Sequence, residues 1–117
     1  MKKRTIIVDG VRSPMGMKNG KMVGIRPDDL GAKTLKALLE RNSSIPPVNI
    51  DDVVVGCAFP EGPQGMLLGR GVSILADIPK EAAGKVVNRF CGSSMDAVHQ
   101  VSQAIDCGDI DCGIAGG

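Results

Sequence analysis

The hydrophobic pattern of the chain is a series of short apolar runs separated by longer stretches with helical spacing. Four runs rich in valine, isoleucine and small residues stand out: Thr5–Val8, Asp52–Gly56, Lys85–Phe90 and Ile110–Ala115. Short apolar runs bounded by glycine and polar residues are typical of strands buried on both faces. We therefore predict four strands.

Helical spacing marks the segments between these strands. Pro27 suits the first position of a helix, because the N–H group that proline lacks is unsatisfied there in any case. The apolar face of this helix would be a stripe of leucines: Leu30, Leu35, Leu38 and Leu39. We predict that the helix ends near Asn42 and that a second, short helix ends near Asp77. A third helix is predicted over Gly92–Asp106, with Gly108 as its C-terminal stop.

The predicted order is β-α-β-α-β-α-β, which is typical of an α/β fold. Buried strands that alternate with helices form a mainly parallel sheet covered by helices on both faces. Right-handed crossovers leave few topologies for such a sheet. The last predicted strand runs to Gly116-Gly117 without a polar tail. We therefore expect a truncated sheet that belongs to a longer chain.

Composition narrows the class of protein. The chain has 117 residues, 43% of them hydrophobic and 23% charged, which suits one soluble domain or part of one. The net charge of +1 argues against nucleic-acid binding. No apolar run approaches the roughly 20 residues of a membrane span, and the N-terminal run is too short for a signal peptide. We therefore expect a cytoplasmic protein. Its core should be aliphatic, since the sequence has no Trp or Tyr and only two Phe.

Four cysteines raise the possibilities of a metal site, a disulfide framework and free thiols. Cys57, Cys91, Cys107 and Cys112 form no CxxC pair, and His99 is the single histidine, so the spacing argues against zinc. Disulfide frameworks are typical of secreted chains, and no secretion signal is found. We predict free thiols, mostly buried as small hydrophobic side chains.

Cys91 differs from the other three because it lies where the third predicted strand meets the third predicted helix. Unpaired N–H groups and the positive end of the helix dipole converge at such a junction, and both favour the nucleophilic thiolate. Gly92 leaves room beside the sulfur for a substrate carbonyl. Ligands of open α/β sheets bind outside the carboxyl ends of the strands. Position alone supports a nucleophile and a buried, helix-capping cysteine equally.

Several segments of the chain resemble those of the thiolases and occur in the same order. Asn88–Met95 (NRFCGSSM), followed by Ala97–His99, is similar to the thiolase active-site segment. Ile7–Gly16 resembles the opening strand and turn of the family, and Arg26–Gly31 resembles the start of its first helix. Further similar segments are Val55–Ala58, Pro60–Gly62, Gln64-Gly65 with Arg70, Gly108-Asp109 and Ala115–Gly117.

The resemblance implies a three-layer thiolase-like fold and acyl transfer between a cysteine and coenzyme A. Thiolases cleave 3-ketoacyl-CoA or, in reverse, join two acyl-CoA units by Claisen condensation. Acyl-CoA and coenzyme A are substrates, and no permanently bound cofactor or metal is implied. By resemblance Cys91 is the nucleophile that becomes acylated, and its backbone N–H donates to the oxyanion. The family also implies a homodimer or homotetramer with a role in fatty acid metabolism.

The resemblance further implies that residues 1–117 are an incomplete N-terminal thiolase domain. Members of the family are several times longer, with two similar halves and a loop domain that holds most coenzyme A contacts. Their C-terminal half supplies the histidine that activates the nucleophile and a second cysteine that shuttles the substrate α-proton. We therefore expect the 117-residue segment to be inactive by itself.

The remaining titratable residues near Cys91 are interpreted as structural. His99 follows Cys91 by eight residues, which places it about 80° around a helix and roughly 12 Å along it. Asp96 is interpreted as a structural or surface acid of the same helix. The other three cysteines, Cys57, Cys107 and Cys112, match no catalytic position of the family.

Two alternatives stay open. The chain could be a non-catalytic, truncated module that associates with other thiolase chains, with an exposed sheet edge at Lys85–Asn88 as the point of contact. It could also be a relative of the 3-ketoacyl synthases, which share the fold and the position of the nucleophile. The string Asn88–Ser94 favours a thiolase over a synthase.

Overall fold

The computed structural model describes residues 4–117, and across that range three strands form one parallel sheet. The strands are β1 (Asp52–Gly56), β2 (Ala83–Val87) and β3 (Gly113–Gly116), and their order in the sheet is β2-β1-β3. Val55 of β1 pairs with Val86 on one side and with Gly116 on the other. The carboxyl ends of all three strands therefore meet at one edge of the sheet.

Helices cover both faces of this sheet, as the sequence predicts. The residues that the structure describes include α1 (Pro27–Arg41), α2 (Leu68–Leu75) and α3 (Ser93–Cys107), together with 3-10 turns at Pro47–Asn49, Gly62–Gln64 and Phe90–Gly92. Gly108 has the left-handed conformation, with φ of +85°, and ends α3 as predicted.

The core consists of two aliphatic layers, one on each face of β1. Val53 packs with buried residues of α1 and α2, whereas its neighbour Val54 packs with Ala97 and Val101 of α3. Successive side chains of a strand point to opposite faces, so two adjacent valines serve both layers. This arrangement confirms the α/β class and the apolar cores predicted for residues 52–56.

The prediction of a strand at Thr5–Val8 is wrong. Residues 5–8 form no helix or strand, and the side chains of Ile6 and Ile7 are 78% and 82% exposed. β1 already pairs with β2 and β3 on its two sides, and the segment lines a cavity together with Ile114 of β3 instead of forming a backbone ladder with that strand. The described part of the chain therefore follows the order α-β-α-β-α-β.

Side-chain contacts hold this N-terminal segment at both of its ends. The Thr5 hydroxyl shares its one O–H between the Asp106 carboxylate and the Ser102 carbonyl of α3, each 2.9 Å from its oxygen. The Asp9 carboxylate accepts a hydrogen bond from Asn42 at 2.8 Å and forms an ion pair with Arg41 at 3.0 Å. The segment therefore bridges the helices on the two faces of the sheet.

The remaining boundaries shift by a few residues from the predicted ones. The strand predicted at Lys85–Phe90 is Ala83–Val87, and the strand predicted at Ile110–Ala115 is Gly113–Gly116. The first of these ends early because the chain turns at Asn88 toward α3. Within residues 4–117, no helix has the length and apolar character needed to cross a membrane.

Candidate active site

Cys91 lies in the 3-10 turn Phe90–Gly92, between the carboxyl end of β2 and the first residue of α3. Its side chain is exposed. The location agrees with the strand-to-helix junction predicted from the sequence, and it places the thiol at the edge where the carboxyl ends of the strands meet. Open α/β sheets bind their ligands at this edge.

The backbone of the turn has a conformation that the sequence does not reveal. Phe90 has a φ of +45°, in the left-handed region that residues with a Cβ atom seldom adopt. The N–H of Gly92 donates to the carbonyl of Arg89 at 3.0 Å and closes the turn. Cys91 therefore directly follows a residue with a disfavoured backbone conformation, within a tight turn.

Asn88 connects this turn to the loop that follows β1. Its side-chain carbonyl accepts a hydrogen bond from the N–H of Phe90 at 2.9 Å. Its amide group donates to the carbonyl of Ala58 at 3.0 Å. One side chain thus links the residue before Cys91 to the neighbouring loop.

A second link joins the turn to the body of α3. The Arg89 guanidinium lies 3.2 Å from the Asp96 carboxylate, and Gln100 donates a hydrogen bond to the same carboxylate at 2.9 Å. The Asp96 side chain is 13% exposed and the Arg89 side chain 72%. Through these contacts, the Asp96 carboxylate links the turn to α3.

The N-terminus of α3 packs unusually close to the end of β1. Gly56 has no Cβ, and a Cβ built there would overlap the main chain at Ser93 and Ser94. Gly92 occupies the N-cap position, and no described side chain caps the helix. The Ser93 N–H donates to the Phe90 carbonyl, and the N–H groups that follow it in α3 lie beside the Cys91 turn without a side-chain cap from the described residues.

Phe90, the residue before Cys91, contacts a second phenylalanine from the loop after β1. The ring centroids of Phe59 and Phe90 are 6.2 Å apart at an interplanar angle of 52°, a tilted aromatic contact. Both rings are largely exposed, as is the nearby Met95 side chain. The turn thus combines an exposed thiol, a helix N-terminus that no described side chain caps and exposed apolar side chains.

The structure does not bring the other cysteines into the Cys91 turn. Cys57 is buried directly after β1, and its N–H donates to the carbonyl of Val87 at 3.0 Å. Cys107 is exposed at the opposite end of α3. Cys112 precedes β3, where burial, and then the charge of Asp51, raises the pKa of its thiol.

His99 lies on α3, six residues beyond the start of the helix, and its side chain is exposed. Prediction from the sequence identified Cys91 but assigned no separate roles to Asn88, Arg89 and Ser93, whose side chains build the turn. Their type offers a signal, since Asn and Ser hydrogen-bond to nearby backbone groups in turns. Which backbone group each would bind depends on the fold.

Comparison with known proteins places this geometry in a family. The sequence profile described as thiolase, N-terminal domain, matches residues 5–117, and the chain therefore belongs to the thiolase family. It is 47% identical over 116 residues to a 3-ketoacyl-CoA thiolase of Aliivibrio salmonicida, and 43% identical over 115 residues to a beta-ketoadipyl-CoA thiolase of Acinetobacter baylyi. Each alignment covers 98% of this chain, but 30% and 29% of the respective relatives. The chain thus spans less than a third of the length of these relatives.

A solved structure shows the same fold. A thiolase from Ascaris suum, crystallised in complex with coenzyme A, superposes with a TM-score of 0.79 at 31% identity. The superposition covers 86% of this chain and 26% of that thiolase. The expected thiolase resemblance and the expected fold class are both confirmed.

Proposed function

We propose that this chain supplies the nucleophile of a thiolase that transfers acyl groups between Cys91 and coenzyme A. The observation that carries the proposal is the placement of Cys91, exposed in a strained turn between β2 and α3, in a chain matched by the thiolase profile almost from end to end. Activity requires the remainder of a thiolase, because the relatives extend well beyond the matched region.

The chemistry proceeds through an acyl-cysteine. The Cys91 thiolate attacks the keto carbon of a 3-ketoacyl-CoA, and the bond between the α- and β-carbons breaks to release acetyl-CoA after protonation of its α-carbon. The acyl group stays on the sulfur as a thioester. The thiolate of coenzyme A then attacks this thioester, which forms acyl-CoA and frees Cys91. The reverse sequence is a Claisen condensation.

Two features of the site support this role. The backbone N–H of Cys91, together with donors outside this chain, would stabilise the oxyanion that forms at each attack, an effect worth roughly 3–4 kcal/mol per donor in other enzymes. The exposed rings of Phe59 and of Phe90, the residue before Cys91, provide an apolar surface. By the family resemblance, the histidine that activates the thiol and the acid for the α-carbon come from outside residues 1–117.

The relatives favour a substrate class more than a single substrate. One is named for 3-ketoacyl-CoA and the other for beta-ketoadipyl-CoA, and the chain is nearly as similar to the second as to the first. Both names describe a coenzyme A thioester with a keto group at the β-carbon. We therefore assign the 3-ketoacyl-CoA class, as used in fatty acid metabolism.

The open edge of the sheet favours association with a second thiolase chain. β2 pairs with β1 on one side, and the exposed residues Ala83 and Lys85 lie along it. An open edge strand is a surface on which another chain can dock. We therefore propose that the complete protein forms a homodimer or homotetramer. In the alternative proposal, a non-catalytic module would bind other thiolase chains through the same β2 edge.

Trapping the acyl-enzyme tests the proposed function. The natural gene product that carries this chain is incubated with acetyl-CoA, and its intact mass is measured. We expect a mass gain of one acetyl group, located on Cys91 by peptide mapping. Cys91→Ala should abolish the gain, whereas Cys107→Ala, which removes another exposed thiol, should retain it. Equal acetylation of the Cys91→Ala protein would refute the assignment, and a wild-type protein that never acetylates would favour the non-catalytic module.

A further inference from the structure

Ser93 makes two hydrogen bonds that enclose the turn bearing Cys91. It is the first residue of α3 and is 4% exposed. Its hydroxyl oxygen accepts from the backbone N–H of Arg89 at 2.8 Å, and its O–H donates to the carbonyl of Phe90 at 2.6 Å. A single buried hydroxyl thus binds main-chain groups on both sides of the Arg89–Phe90 peptide bond.

This use of a serine differs from ordinary helix capping. At the start of a helix, a serine oxygen usually accepts a hydrogen bond from an N–H of the first helical turn. The Ser93 hydroxyl instead points back into the turn before the helix, and the N–H groups of the first turn of α3 have no side-chain cap within the described chain. The hydroxyl therefore stabilises the turn and leaves the helix N-terminus open toward Cys91.

The turn needs such support because Phe90 has a disfavoured backbone conformation. A φ of +45° brings the Cβ of a phenylalanine close to its own carbonyl oxygen. The ring is 67% exposed, so burial of the side chain contributes little to holding the residue there. Hydrogen bonds to the adjacent peptide groups must supply most of the restraint.

Four other contacts act on the same turn, two of them through side chains and two within the backbone. Asn88 accepts from the Phe90 N–H in an exposed hydrogen bond, and the Arg89–Asp96 ion pair has a 72% exposed cation. Two backbone hydrogen bonds also close the turn: the Gly92 N–H donates to the Arg89 carbonyl, and the Ser93 N–H donates to the Phe90 carbonyl. Buried hydrogen bonds resist competition from water more than exposed ones do. Among the side chains that contact this turn, Ser93 is the most buried, and it binds both the Arg89 N–H and the Phe90 carbonyl.

We propose that Ser93 is a positioning residue for the nucleophile. By fixing the left-handed bend at Phe90, its hydroxyl sets the direction of the Cys91 sulfur and of the Cys91 N–H at the same time. This inference rests on the proposed function, in which Cys91 is acylated. Ser93 does not contact the substrate in this proposal. Its hydroxyl therefore affects the rate of acyl transfer and leaves the affinity for substrate nearly unchanged.

Steady-state kinetics of the natural gene product test this role with Ser93→Ala. Misplacement of a reacting group by about 1 Å costs up to roughly a hundredfold in rate, so we expect kcat to fall about 10- to 100-fold with KM changed by less than about twofold. Ser94→Ala is the matched control, because Ser94 is the exposed neighbour of Ser93. A kcat within about twofold of wild type for Ser93→Ala would overturn the proposal.

An isosteric pair separates positioning from a general loss of folding. Ser93→Thr retains the hydroxyl and Ser93→Val replaces it with a methyl group of similar size, so both variants carry the same additional bulk. We expect Ser93→Thr to recover most of the activity and Ser93→Val to resemble Ser93→Ala, at equal folded fractions by circular dichroism. Equal kcat values for the Thr and Val variants would show that the hydroxyl has no positioning role.

Alkylation of Cys91 distinguishes failure of this inference from failure of the proposed function. Iodoacetamide reacts with the thiol without any acyl-CoA, and peptide mapping follows each cysteine separately. We expect Ser93→Ala to change the rate at Cys91 by about threefold or more, the effect of losing one typical hydrogen bond, while Cys107 is unaffected. An unchanged Cys91 rate overturns the role of Ser93. Absence of an acyl-enzyme in the wild-type protein refutes only the assigned chemistry.

Discussion

At the scale of single residues, Gly56 determines how closely the end of β1 approaches the turn that carries Cys91. The main chain at Ser93 and Ser94 occupies the space that a Cβ at position 56 would need. Backbone atoms cannot move aside as a flexible side chain can. The close approach therefore keeps the N-terminus of α3, and with it the thiol, against the carboxyl end of the sheet.

We expect Gly56→Ala to destabilise the folded protein by roughly 1–3 kcal/mol, the usual range for overpacking a well-packed site. Urea unfolding measures the change. Gly71→Ala is the matched control: Gly71 lies within α2, and a Cβ built there meets no atom within 4 Å. Alanine in a helix interior is favoured over glycine, so the control should gain roughly 0.5–1 kcal/mol. Equal effects of the two variants would contradict the close packing at Gly56.

The sequence predicts the position of Cys91 but not the geometry around it. A cysteine between an apolar run and a helical segment indicates a strand-to-helix junction, because both signals are local. The positive φ of Phe90 has no local signal, since phenylalanine normally avoids it. The direction of the Ser93 hydroxyl likewise depends on where the turn places Arg89 and Phe90.

At the scale of elements, the helices and central strands follow the sequence, and the N-terminal segment does not. Asp52–Gly56 is a strand with the predicted bounds, and the first helix begins at Pro27 as predicted. Thr5–Val8 has the composition of a strand, but strand formation also requires a partner. The segment would have to pair with a strand about 50 or more residues away in the sequence. No local pattern shows which strand, if any, becomes its partner.

The attachment of this segment to α1 makes stability depend on pH. The pKa of Asp9 lies below its ordinary value of 3.8. The largest cause is the hydrogen bond from Asn42, followed by that from the Gly10 N–H, and the charge of Arg41 also contributes. A carboxylate whose pKa is lowered by folding stabilises the protein above that ordinary value. This contribution is lost as the pH falls from 3.8 through the lowered folded value.

We therefore expect Asp9→Asn to lower the free energy of unfolding most at neutral pH. The difference from wild type should shrink as the pH falls below 3.8, because the Asp9 carboxyl is then protonated in the wild-type protein as well. Urea unfolding across this pH range measures the difference. Asp109→Asn, at an exposed carboxylate, is the control and should cost little at any pH. A difference that is constant across the range would refute the role of the Asp9 charge.

At the scale of the whole molecule, the four cysteines lie near opposite ends of the sheet, two at each end. Cys57 and Cys91 follow the carboxyl ends of β1 and β2, whereas Cys107 and Cys112 lie between the end of α3 and the start of β3. Each end contains one exposed thiol and one that is buried or half-buried. The reactivities of the four thiols therefore report on the architecture as a whole.

We expect iodoacetamide to modify Cys91 and Cys107 of the folded chain at least about tenfold faster than the other two thiols, by analogy with the attenuation that burial imposes on cysteine. Cys57 is shielded by burial, and burial also raises the pKa of Cys112, which lowers its thiolate fraction at a given pH. Time-resolved peptide mapping gives the four rates, and modification in urea is the control in which they should converge. Rapid labelling of Cys112 in the folded chain would contradict the packing of β3.

The contact between Phe59 and Phe90 has a practical consequence for spectroscopy. The chain has no tryptophan or tyrosine, and its two phenylalanines contact each other, one of them as the residue before Cys91. Phenylalanine ring-proton resonances and the near-ultraviolet circular dichroism of this chain thus originate from this one pair of rings. A change in either signal on substitution of Ser93 in this chain would report the state of the turn directly, without any introduced label.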